Sequence, residues 1–142
     1  MGITIDRREF KQLRGNVAQA LFVLEVQKHL PVDVETINIG LELSDILKAS
    51  PREKLPPLKD MLEQLISGKS ADLILSRIDF LFDPIWNCNV LKLLLAVGRN
   101  RRFYVVWPGA FEANALSYSI QHQPDWANYN VSEYNDLYIV KK

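Results

Sequence analysis

The chain predicts an α/β fold: a mostly parallel sheet covered by helices on both faces. Three observations carry that prediction. Short runs such as Leu73-Ile74-Leu75 and Phe103-Tyr104-Val105-Val106-Trp107 are apolar at every residue, as in strands buried on both faces. These runs alternate with stretches whose apolar residues recur at helical spacing. Glycine and proline punctuate the changes, at Gly68, Gly98 and Pro108-Gly109.

Taken in order, Ile3-Thr4-Ile5 suits a short strand. Asp6 is a polar cap before Arg7, where a side-chain oxygen can satisfy free backbone N–H groups. From there to His29, the residues Phe10, Leu13, Val17, Leu21 and Leu24 keep helical spacing. Gly15 interrupts them, so the segment reads either as one helix or as a loop with a helix starting near Asn16. Pro31 closes it. Val34 to Ile39 alternates and is rich in β-branched residues, which predicts a strand. Glu42 to Ala49 predicts a short helix, and Pro51 and Pro56-Pro57 punctuate the next segment. Leu58 to Ile66 is amphipathic and stops at Gly68. Val90 to Val97 is a strongly apolar helix stopped by Gly98. Leu116 to Ile120 and Leu137 to Val140 suit strands, and Gln123 to Tyr129 a helical turn or loop.

The length of 142 residues, with no linker, repeat or low-complexity tract, predicts a single domain over 1–142. Basic and acidic residues balance at 17 each, so no global field draws the chain to nucleic acid or to a membrane. No apolar run approaches the length of a membrane span. The opening residues lack the basic-then-apolar pattern of a signal peptide, so the expected compartment is the cytoplasm. One cysteine, Cys88, excludes an internal disulfide and a Cys-rich zinc site. His29 and His122 stand far apart, in no metal-ligand spacing, and no serine stands in a GxSxG context.

Ligands of parallel sheets sit beyond the carboxyl ends of the strands, here near Gly40, Ser76 and Pro108. A phosphate loop would need a glycine-rich turn followed by Lys and Ser or Thr, and no GxxxxGK[ST] occurs. Arg14-Gly15-Asn16-Val17 has neither the lysine charge nor the hydroxyl. The segment Asp6–Asn16 is thus either a relic phosphate loop or part of a helix. A Walker B carboxylate should follow its strand directly to reach a Mg²⁺-bound water. Ser76 and Arg77 stand there instead, with Asp79 and Asp83 further on as weak candidates for a nucleotide site. Asp83 also suits a helix cap before Pro84. Arg99, Arg101 and Arg102 form a basic turn that suits phosphate or nucleic-acid contact, or a solvated loop favouring the preceding helix end. Trp126 and Tyr129 lie in the polar stretch "QPDWANYN" and are the best candidates for a partner surface.

The segments "INIGLELS", "RIDFLFDP" and "LLLAVGRNRRFYVVWPGAFEANALSYSIQHQPDWANYN" occur in that order. Together they resemble BrxF, the small P-loop protein family of type 3 BREX phage-defence systems. That family carries an "NLELS"-like segment and an "ExLFDP"-like segment after a Walker B strand. It also has an "RNR" turn before a strand ending in Trp and Gly, and an "HPEY"-like turn near the end. The likeness covers roughly residues 36 to 140. It implies a P-loop-like three-layer fold with a mostly parallel central sheet, and a role in antiphage defence. It places the Walker B acid at Ser76 and the acid of the "ExLFDP" segment at Asp79. The family's phosphate loop has only Arg14-Gly15-Asn16-Val17 as its counterpart.

Three functions stand as expectations. The first is a non-catalytic accessory protein, with no cofactor, that binds other proteins of a defence complex. The second is a self-assembling ATPase that uses Mg-ATP, with Asp79 or Asp83 on Mg²⁺ and Arg99 or Arg101 reaching a neighbour's phosphate. The third is a nucleic-acid-binding module that meets DNA through Arg99, Arg101 and Arg102 and exposed aromatics.

Overall fold

The computed structural model describes residues 1–49 and 55–142. Pro51, expected to punctuate the chain, lies outside the described residues. Along the chain the strands are β1 (Ile3–Ile5), β2 (Ala20–Leu24), β3 (Glu35–Asn38), β4 (Asp72–Ser76), β5 (Arg102–Val106), β6 (Ala110–Glu112), β7 (Ala115–Tyr118), β8 (Ala127–Asn130) and β9 (Leu137–Val140). The helices are α1 (Arg7–Leu13), α2 (Ile39–Ala49), α3 (Leu58–Ile66) and α4 (Val90–Val97). Six strands form one parallel sheet in the order β1-β9-β2-β5-β4-β3, and β6-β7-β8 form a small antiparallel sheet.

The expected α/β class, a parallel sheet between two layers, is the observed one. Its layers are unequal. Leu21, Val23, Leu73, Leu75, Phe103 and Val105 point to the face covered by α2, α3, α4 and the small sheet. Phe22, Leu24, Ile74 and Tyr104 point to the other face, where α1 contributes Phe10. The rest of that layer is the connection between β2 and β3, which packs Leu30 and Val34 there. It holds only a single 3₁₀ turn, Gln27–His29.

The main departure from expectation lies between Asp6 and His29. Asp6 does cap a helix, in a reciprocal capping box with Glu9, but the helix is only Arg7–Leu13. Ala20–Leu24 is a strand with all five residues buried. A run apolar at every position satisfies a helical and a strand period alike, so spacing alone cannot choose. Pairing chooses: β2 bonds to β5 along one edge and to β9 along the other. Two smaller corrections lie in the second half of the chain. Ala127–Asn130, expected as a turn or loop, pairs with β7 as an outer strand. Asp83 caps no α-helix. Its carboxylate accepts from the N–H of Ile85 at 3.0 Å in a local turn, and Asn89 is the cap of α4.

The small sheet is locked to the large one at Trp107, whose indole N–H donates to the Ser117 carbonyl at 2.8 Å. Gly109 passes so close to that carbonyl that a Cβ would lie 1.8 Å from its oxygen. Gly109→Ala is therefore expected to cost about 3 kcal/mol through forced displacement of the hairpin. Urea unfolding monitored by tryptophan fluorescence measures it, and an unchanged midpoint contradicts the account.

Candidate functional site

At the carboxyl edge, β2 ends at Leu24 and the chain continues through Glu25 without a glycine until Gly40. A cleft of about 290 Å³ opens at the ends of β2 and β9, lined by Glu25, Glu112 and Lys142 beside Trp107. Two carboxylates against one ammonium repel a phosphate rather than cradle it. The segment Arg14-Gly15-Asn16-Val17 lies before β2, at the amino edge of the sheet, and is no phosphate loop. Of the two expectations for Asp6–Asn16, the structure takes the helix, followed by a turn.

Ser76 ends β4, and its hydroxyl donates to the Ile37 carbonyl at 3.4 Å. Arg77 comes next in the left-handed region, at φ 57°. It turns the chain into a 3₁₀ segment, Ile78–Phe82. Its guanidinium reaches forward to Asp79 at 3.2 Å, so this candidate acid is already paired with the arginine two residues before it. Asn38 caps α2 by accepting from the N–H of Leu41 at 2.9 Å. Gly40 lets that helix start close to Arg77, whose Cβ would lie 3.2 Å from an added methyl.

Asp83 and the "QPDWANYN" stretch do meet. Asp83, Cys88, Asp125, Trp126 and Tyr129 line one shallow cleft of about 160 Å³. The ring of Phe82 stacks on Tyr118 at 4.1 Å. Burial first, then the nearby Asp79 and Asp125, push the Tyr118 hydroxyl above its ordinary pKa. Tyr129, expected on a partner surface, is turned inward. Its hydroxyl accepts the N–H of Val90 at 3.1 Å, satisfying a free donor of the first turn of α4. Trp126 does face outward, at 42 % exposure. Cys88 is exposed as a residue, but its sulfur rests against the Leu81 carbonyl and burial pushes the thiol pKa up, which disfavours a reactive thiolate. Behind this region, Leu47, Leu55, Phe80 and Trp86 line an apolar groove of about 580 Å³.

The arginines lie at the opposite edge. Arg101 donates to the Ser70 carbonyl at 2.7 Å and fastens the turn before β4. Arg102 donates from Nε and Nη2 to both oxygens of Asp72, and from Nη1 to the Val17 carbonyl at 2.9 Å. Arg99 is exposed. Arg101 and Arg102 begin or precede β5, whereas Asp79 and Asp83 come after β4, so one chain cannot bring both sets to one nucleotide. Arg102 is moreover committed to a structural pair.

Sequence reasoning missed the partner of that pair. Asp72 also accepts from the hydroxyl of Tyr104 at 2.9 Å, and Arg14 lies over the Tyr104 ring at 5.3 Å. Burial raises the Tyr104 hydroxyl pKa. The signal for this network was an acid and an arginine each placed at the first residue of an apolar strand. Among the described residues, no group of three His, Cys, Asp or Glu is placed to hold a metal ion. No helix among them is long and apolar enough to cross a membrane. Neither protein families, nor curated proteins, nor solved structures yield a match to this chain.

The Arg102 guanidinium, with help from Tyr104, holds the Asp72 carboxyl below its ordinary value of 3.8. A carboxylate whose pKa is lower folded than unfolded adds stability that is fully present above the unfolded value. That stability is lost as pH falls through the folded value. Asp72→Asn should therefore cost about 2 kcal/mol near neutral pH. The difference from the parent protein should shrink as pH drops below 3.8. Chemical denaturation across pH tests this, and a difference that stays constant into strong acid contradicts it.

Proposed function

We propose that this chain is a P-loop-like domain without nucleotide chemistry, acting as an accessory interaction protein in a bacterial antiphage defence system. The observation that carries the reading is the connection after β2. A phosphate loop works by aiming the backbone N–H groups of a glycine-rich turn and a helix N-terminus at the phosphates. Between Leu24 and Glu35 this chain has no glycine and no α-helix, and two carboxylates line the cleft at the end of β2. Ser76 occupies the place of the magnesium-holding acid, and a hydroxyl already donating to a carbonyl is a poor replacement.

The P-loop-like part of the reading is supported by strand order. β5 separates β2, the strand that would lead into a phosphate loop, from β4, the strand that would carry the Walker B acid. Both strands thus lie inside one parallel sheet and end at the edge where such sheets bind ligands. The defence part rests on the resemblance of "INIGLELS", "RIDFLFDP" and the Arg99–Trp107 segment to BrxF proteins. The exposed Trp126 beside the Asp83 turn is the residue best placed for a protein partner.

Thermal denaturation with and without millimolar Mg-ATP tests the reading. Ligand at a hundred times its Kd adds about 2.7 kcal/mol, a shift of several degrees for a domain of this size. The expected Tm is unchanged. A clear rise overturns the assignment.

A further inference from the structure

A second cleft lies on the α1 face of the sheet, between α1 and the connection after β2. It encloses about 300 Å³. Arg7 and Lys11 line it from α1, Arg14 from the cap at its end, and Lys28, His29 and Asp33 from the connection. Arg7, Lys11 and Arg14 recur at helical spacing, so they form one stripe, about 10 Å long at the rise of an α-helix. Phe10, between them, points into the core and fixes the roll of the helix. The thin connection makes the other wall.

The charge is unbalanced at this place, although the chain as a whole is neutral. Four permanent cations line the cleft against one acid, and only one of the four, Arg14, is also engaged by the Tyr104 network. That acid, Asp33, stands 4.0 Å from Arg14 with its side chain 80 % exposed, so it offsets one charge weakly. The nearest acid of α1, Glu9, is turned back onto the Asp6 backbone N–H in the capping box. The imidazole of His29 registers the local field: burial first, then Arg7, Lys28 and Lys11, push its pKa down. Repelling cations held on two backbone segments form a surface that gains from an anion.

The shape selects the anion. A lone phosphate group suits a turn whose backbone N–H groups converge on one point, whereas the cations here are spread along a helix face. A row of cations about 10 Å long suits successive phosphates of a chain. No exposed aromatic lines the cleft to stack a base, because Phe10 is 2 % exposed. We propose that the cleft between α1 and the Lys28–Asp33 segment binds the phosphate backbone of nucleic acid, with Arg7, Lys11 and Lys28 as the contacting cations. The contact is independent of base sequence and steeply salt-dependent. Arg99, Arg101 and Arg102 do not line the cleft, and the contact does not depend on the loss of nucleotide chemistry.

Fluorescence anisotropy with a labelled single-stranded oligonucleotide, titrated over a salt series, tests the proposal. Binding is expected at about 20 mM salt and should fall steeply as salt rises. Lys11→Glu/Lys28→Glu changes two exposed residues. It should weaken binding at least tenfold and reduce the salt slope by about 1.4, at about 0.7 per lost contact. Lys11→Gln/Lys28→Gln should act in the same direction by a smaller factor, and serves if the charge reversal disturbs folding. Arg99→Glu, an exposed arginine that does not line the cleft, should leave binding within about twofold. Absence of binding at low salt, indifference to both double variants, or equal weakening by Arg99→Glu overturns the proposal. Equally tight, variant-sensitive binding of polyglutamate also overturns it, in favour of an acidic protein partner.

Discussion

β2 is hydrogen-bonded on both edges and buried on both faces, and the layers of the molecule are built outward from it. Its odd and even residues feed different cores: Leu21 and Val23 face α2, α3 and α4, whereas Phe22 and Leu24 face α1. Phe22 is the hub of the thinner side. Its ring stacks on Tyr104 at 5.3 Å and on Tyr138 at 5.3 Å, and meets the edge of Phe10 at 5.1 Å. One ring thus sets the register of three strands and the seating of a helix with only seven residues. A helix that short is unstable alone, so its place depends on that packing.

The two ends of the sheet use charge differently. At the amino edge, Asp72, Arg102, Tyr104 and Arg14 satisfy one another and the Val17 carbonyl. Partly buried charge is tolerable there because every partner is present. At the carboxyl edge the polar groups are local fasteners: Asn38 on α2, Ser76 on the Ile37 carbonyl, Arg77 on Asp79. Among the described residues, neither end carries the glycine-rich turn that a phosphate loop needs. The unneutralised charge lies along the flank, on Arg7, Lys11 and Lys28.

Much of this fold was legible in the sequence. α3 and α4 begin and end where amphipathic spacing and Gly68 and Gly98 place them. β4, β5 and β9 announce themselves as short apolar runs. β2 was hidden because its apolar residues continue the helical phase of Phe10 and Leu13, and only a partner strand distinguishes the two readings. The fate of Tyr129 was equally illegible, because its hydroxyl is claimed by the N–H of Val90, far away in sequence. The basic cleft was hidden too. Arg7, Lys11 and Arg14 share one stripe, and nothing near them in sequence announces that Lys28 and His29 return opposite it. The legible part of the nucleotide question was compositional: a glycine-poor chain with Ser76 after its buried strand lacks the groups whatever its topology.

The strand order also bears on how the chain reaches its native state. The edge strand β1 neighbours only β9, and Ile3 stands opposite Tyr138. The central β2 takes its partners from Arg102–Val106 and from Leu137–Val140. Parallel strands cannot be joined by a tight turn, so these pairings close long loops and form slowly. β3 and β4, linked through α2 and α3, can associate earlier. During that interval Ala20–Leu24, apolar throughout and uncharged, waits without a neighbour on either side. It is the segment most exposed to pairing with another copy of itself, so the same property that makes β2 the centre of the native sheet makes it the weak point on the way there.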